Sequence, residues 1–189
     1  MLPVWGWGHV ISSLYIPGRT DIPLDPVAQL HGVARAPWAF VALVGRTLAA
    51  RGGDIYRMAV GDLGWVDTAL PGWFYPTYGI GLLACIAVES GGAPRMAWWQ
   101  RLLLPAAALA CALLVFLAMY ANWNAPGSRT PIDGIQGRYF LPLAPLVLIA
   151  GPRWGAWRAP AWAPAALGGL LGVISAAVCL WAVVTRYYL

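Results

Sequence analysis

From Trp162 to Val184, 23 residues pass without one charged side chain. A helix of about 20 apolar residues crosses the hydrocarbon core of a bilayer, because only a helix satisfies its own backbone hydrogen bonds there. Blocks of the same character recur upstream, separated by short polar stretches. Apolar residues make up 60% of the 189-residue chain and charged residues 10%, against about a quarter charged in a soluble domain. The pattern predicts an all-α, polytopic helical transmembrane protein. It has about four full or near-full spans, a short N-terminal apolar segment and an outer-face loop region with interfacial helices.

Taken in order, residues 1–16 form a short span or the tail of a longer helix; they lack the basic start and cleavage site of a signal peptide. His9 within them reads as a packing residue. Pro17-Gly18 opens a region, 17–72, that does not span. Asp25-Pro26 is a helix start, with aspartate as cap and proline where no hydrogen bond is lost. That helix should end before Pro37, which begins another, and Gly52-Gly53 should end the second. In the second helix Trp38, Val41, Val44 and Leu48 share one face and Arg46 and Arg51 flank the other, the signature of an interfacial amphipathic helix. Residues 73–189 then form a transmembrane bundle, with spans near 73–90, 99–122, 139–157 and 162–185. Pro105 should kink or loosen the second of these, and Pro142 and Pro145 should distort the opening of the third. Gly168, Gly172 and Ala176 lay a small-residue stripe along the last span, which suits close approach by a partner helix.

Charge sets the orientation. All 12 basic residues are arginine. The loops around 91–101 and 151–161 hold Arg95, Arg101, Arg153 and Arg158 against Glu89 alone, whereas all six aspartates lie in 17–72 and 123–138. By the positive-inside rule the arginine loops face the cytoplasm, so 17–72 and 123–138 share the outer face. The scattered arginines form no basic run and no finger motif, which argues against a nucleic-acid partner. Cys85, Cys111 and Cys179 sit in apolar segments without CxxC spacing and read as small hydrophobes. No phosphate loop, zinc motif, nucleophile elbow or dinucleotide fingerprint is present in the sequence, so no particular cofactor is named by a motif.

The candidate site residues come from the two outer regions. Arg138 stands where a polar loop enters an apolar segment, and such a charge snorkels, pairs or binds something. It suits a clamp on a lipid-linked phosphate, flanked by Gln136 and Tyr139, and equally suits a headgroup anchor or a partner for Asp133. Asp62 and Asp67 suit a general base, or metal ligation, on the outer face; Asp67-Thr68 also reads as a turn cap before Pro71. Trp65 suits stacking on a sugar or a place in the headgroup belt. Gln29 and His31 read as packing or surface residues.

The string Gln136-Gly137-Arg138-Tyr139-Phe140-Leu141-Pro142-Leu143-Ala144-Pro145-Leu146 resembles the closing motif of a bacterial membrane family called domain of unknown function twenty-one forty-two. Asp25-Pro26-xx-Gln29-Leu30, Pro37-xx-Phe40 and Gly61-xx-Gly64-Trp65-xx-Asp67-Thr68-xx-Pro71 resemble its other elements, in the same order. The family is regarded as similar to the GT-C glycosyltransferases, which take sugars from polyprenyl-phosphate donors at the outer face. The resemblance implies a donor site at Arg138, Tyr139 and Gln136. GT-C enzymes carry their catalytic carboxylate in the first outer loop, and nothing here matches it. The resemblance therefore implies the C-terminal portion of such an enzyme, or else a non-catalytic subunit or carrier that binds a lipid-linked saccharide.

Overall fold

The computed structural model describes residues 21–63, 67–89, 96–150, 160 and 162–189. Expectations for residues 1–16 with His9, for Trp65, for Arg95, Arg153 and Arg158, and for the far end of the third span lie outside the described residues. The described elements are α1 (Pro26–Arg35), α2 (Pro37–Val60), α3 (Phe74–Glu89), α4 (Trp98–Trp123), a 3-10 helix (Gly137–Leu143), α5 (Ala144–Ala150) and α6 (Ala163–Tyr187). Among the described residues there is no strand, only an isolated antiparallel bridge between Leu63 and Thr68.

The predicted start at Asp25-Pro26 holds. The Asp25 carboxylate accepts from the Ala28 amide at 2.9 Å, and proline occupies the first helical turn. Proline also disfavours helical backbone in the residue before it. Ala36 is accordingly pushed to φ −139° and ψ 66°, and α1 and α2 meet there at 107°.

Two expectations for α2 are corrected. The helix does not stop at Gly52-Gly53 but runs on to Val60. A mid-helix glycine costs only about 1 kcal/mol, and tertiary contacts beyond the pair outweigh it. Ile55 is buried, and the Tyr56 hydroxyl donates to the Tyr75 carbonyl at 2.8 Å. Of the four residues expected on its interfacial face, Val44 alone turns into the protein. Leu43, Val44 and Thr47 are buried, whereas Trp38, Val41 and Leu48 are exposed. The shift follows from Thr47, whose hydroxyl has a buried backbone partner far along the chain.

Among the described residues, α4 and α6 are long and apolar enough to cross a membrane; α1 and α2 meet that test only as one bent pair. α4 continues unbroken through Pro105. Ahead of its first turn the Ala97 amide donates to the Gln100 side chain at 2.9 Å, a local cap of one otherwise unpaired donor. The segment predicted over 73–90 forms 16 helical residues, about 24 Å at 1.5 Å per residue and so short of the ~30 Å core. The third predicted span opens as a 3-10 helix containing Pro142 and continues into the seven residues of α5. Proline donates no backbone hydrogen bond, which accounts for this distorted entry.

The chain divides into two compact units, residues up to 50 with 116–134, and 51–115 with 135–189. The first holds α1, the opening of α2, the end of α4 and the loop behind it. In the second, α3 packs on α6 around Leu70, Phe74, Tyr75 and Ala182. Gly81 makes that approach close: a Cβ there would stand 2.5 Å from the Leu171 side chain. The predicted small-residue stripe is not used for this contact, since nothing lies within 4 Å of a Cβ at Gly168 or Gly172.

Candidate functional site

In the second unit the polar groups gather around the end of α2. Tyr75, in the first turn of α3, is their hub. Its hydroxyl accepts from the Leu70 amide at 3.0 Å and donates to Asp62 Oδ1 at 2.8 Å. The ring is buried among apolar side chains, and the Arg57 guanidinium carbon lies 5.2 Å from its centroid. Asp62 is therefore held by a neutral donor whose ring carries a cation on its face. The tyrosine also ties the segment after α2 to the head of α3.

Asp67 has other partners. Its Oδ2 accepts from Arg186 Nη2 at 2.9 Å, with both side chains about two-fifths exposed. Thr68 exchanges backbone hydrogen bonds with Leu63, at 3.0 Å from the Leu63 amide and 3.3 Å from the Thr68 amide. Those bonds set Leu63 and Thr68 side by side as an isolated antiparallel bridge. An exposed ion pair of this kind contributes at most about 1 kcal/mol, so it orients Arg186 and Asp67 more than it stabilises the fold. Among the described residues no group of His, Cys, Asp or Glu side chains is arranged to hold a metal ion.

Arg138 lies in the opening turn of the 3-10 helix and is exposed. Its Nε donates to the Gln136 side-chain oxygen at 2.6 Å, and the Tyr139 amide donates to the Gln136 carbonyl at 3.1 Å. Gln136 thus orders both residues. Gly137 between them is buried, and a Cβ there would collide with the Ile55 carbonyl and the Ala59 backbone nitrogen. The glycine seats this turn on the last stretch of α2, whose next residues lead to Asp62.

Asp133 belongs to the first unit, whereas Gln136, Arg138 and Tyr139 belong to the second. In its own unit the Asp133 amide donates to Asn124 Oδ1 at 3.1 Å, and Asn124 Nδ2 donates to the Met119 carbonyl at 3.1 Å. Gln29 is 2% exposed, and its Nε2 lies 3.1, 2.9 and 3.0 Å from the carbonyls of Tyr120, Asn124 and Ala125. A helix end leaves its last carbonyls without partners, and this amide caps those of α4 from a distant part of the chain. Thr47, fully buried, accepts from the Ile132 amide at 3.0 Å and donates to the Leu43 carbonyl at 2.8 Å. Gly134 closes the loop at φ 80°, where a side chain would also press on the Trp123 ring. The first unit therefore joins parts of the two polar regions assigned to one face. His31 is exposed, as its surface reading anticipates.

Two apolar helices of spanning length, with little of either buried inside the protein, define an integral membrane protein of helical class that sits in a lipid bilayer. The chain belongs to the predicted membrane protein family DUF2142, whose family model matches residues 9–147. No curated protein and no solved structure matches it.

Proposed function

We propose that the chain is the C-terminal membrane module of a GT-C-like glycosyltransferase that uses a polyprenyl-phosphate-linked sugar in bacterial cell-surface glycan assembly. The carrying observation is the Arg138–Gln136 hydrogen bond on a turn seated against the end of α2. With Nε engaged, the paired Nη groups present a forked set of donors that matches phosphate oxygens. Tyr139, partly exposed beside it, borders the same headgroup. The site lies on the outer face of the inner membrane, in keeping with the arginine bias of the opposite loops.

In this reading the acceptor hydroxyl attacks the anomeric carbon with inversion, and the bond to the polyprenyl phosphate breaks. The phosphate leaves with the electron pair, and its developing charge is met by Arg138. Asp62 is the better placed of the two carboxylates to take the hydroxyl proton. Its Oδ1 is held by Tyr75, whereas Asp67 is engaged by both Arg186 and Thr68.

Binding of a polyprenyl monophosphate to the full chain in detergent, followed by native mass spectrometry, tests the clamp. Loss of a charge-assisted pair of hydrogen bonds should weaken binding roughly 10- to 100-fold in Arg138→Ala, with Arg138→Lys keeping part of it. Equal binding by Arg138→Ala and the unmodified protein would sink the reading.

The open surface at Gly168 and Gly172 favours a second reading, a non-catalytic membrane subunit whose last helix docks on another protein. Gly172→Leu should then abolish co-purification of that partner while leaving polyprenyl-phosphate binding intact. Unchanged association would remove this alternative.

A further inference from the structure

Between Asp25 and Asp54 the chain carries no acidic residue, and within 26–50 its charges are Arg35 and Arg46. These residues form α1, the 107° elbow at Ala36 and the opening of α2. Their inward side is settled by burial: Gln29 on α1 and Leu43, Val44 and Thr47 on α2. At 100° per residue the side of α2 opposite Leu43 and Thr47 is centred on Trp38, Gly45 and Ala49, with Val41 and Leu48 on one flank and Arg46 on the other. Trp38 is 82% exposed, Val41 46% and Leu48 47%, and Val27 and Leu30 add exposed apolar surface on α1. Arg35 and Arg46 are exposed as well.

An apolar stripe of this kind, with one large tryptophan and a cation at its edge, is not a surface that water accommodates well. In a chain whose α4 and α6 are of membrane-spanning length, the bilayer is the surface always at hand. A bend of 107° turns α1 away from the axis of α2. We infer that the α1–α2 elbow is a lipid-docking element with a preference for anionic phospholipid. Trp38, Val41 and Leu48 enter the headgroup–acyl boundary, and Arg35 and Arg46 pair with lipid phosphates. Both cations lack a carboxylate neighbour in sequence within the element, so an anionic headgroup supplies their counter-charge. The long arginine side chains lie along the apolar surface and reach up to the phosphate layer. This inference does not depend on the glycosyl-transfer reading, because it uses neither Arg138 nor the carboxylates.

The experiment is amide hydrogen exchange on the full chain in nanodiscs of phosphatidylcholine, with and without phosphatidylglycerol. Amides of residues 38–50 should exchange roughly 10-fold more slowly in the phosphatidylglycerol discs, given two interfacial arginines. Peptides from α6 should not change. The lipid dependence should vanish in the double variant Arg35→Gln/Arg46→Gln and persist in Arg35→Lys/Arg46→Lys. Equal protection in both lipids would mean apolar insertion without headgroup choice and would overturn the anionic preference. Fast exchange of 38–50 in both discs would mean the stripe does not meet lipid, and would overturn the docking itself.

Discussion

Replacing Gly137 by alanine should destabilise the second unit more than any other single methyl group added to it. The added Cβ would collide with the Ile55 carbonyl and the Ala59 backbone nitrogen. Both are backbone atoms of α2, so no rotamer change relieves the contact; the 3-10 turn must lift or α2 must bend. Overpacking of this kind costs about 1–3 kcal/mol, and more where the neighbour cannot yield. Lifting the turn also carries Gln136, Arg138 and Tyr139 away from α2. The expected result is a lower unfolding midpoint in detergent together with weaker polyprenyl-phosphate binding. Gly172→Ala is the matched control, because nothing lies within 4 Å of its new methyl group. A Gly137→Ala protein as stable as that control would show that the turn is not seated on α2.

Gln29→Leu should have an effect of similar size in the first unit. One amide nitrogen serves three carbonyls at the end of α4, those of Tyr120, Asn124 and Ala125, and the side chain is buried. Leucine fills nearly the same space and donates nothing. A buried carbonyl left without a donor costs about 1–3 kcal/mol, and the two hydrogens of the amide mean that at least two donations are lost. About 3 kcal/mol of destabilisation follows, with the loop behind α4 released first. The amide of Ile132, held by Thr47, is the reporter: its hydrogen exchange should accelerate strongly. Gln29→Glu should do as much harm as leucine, because it sets carboxylate oxygens against carbonyls. Unaltered exchange at Ile132 in both variants would show that Gln29 does not cap α4.

Both residues belong to stretches that stand out in the sequence, yet neither role is readable there. Gln29 lies in the Asp25-Pro26-xx-Gln29-Leu30 element, where packing or surface is the natural reading of a polar residue on a short helix. A polar side chain buried among carbonyls gives no periodic signal distinct from an exposed one. Gly137 lies inside the Arg138 motif, where attention falls on the charge rather than on the residue that seats it. Thr47 was equally unmarked, since its partner amide, at Ile132, is supplied from 85 residues away. The pairing of Asp62 with Tyr75 was hidden because the two stand 13 residues apart, Asp62 after α2 and Tyr75 within α3.

Local chemistry is what the sequence by itself determined. Uninterrupted apolar length placed the chain in a bilayer, because the hydrocarbon core admits only backbone that bonds to itself. Asp25-Pro26 and Pro37 set helix starts, because capping and proline geometry act within a turn of where they stand. Only the tertiary structure decided the rest. It carried α2 past Gly52-Gly53, turned Val44 inward beside Leu43 and Thr47, and gave Gln29 its carbonyls. Each of those outcomes depends on a partner group from a distant part of the chain, and a residue's type does not state who its partner will be.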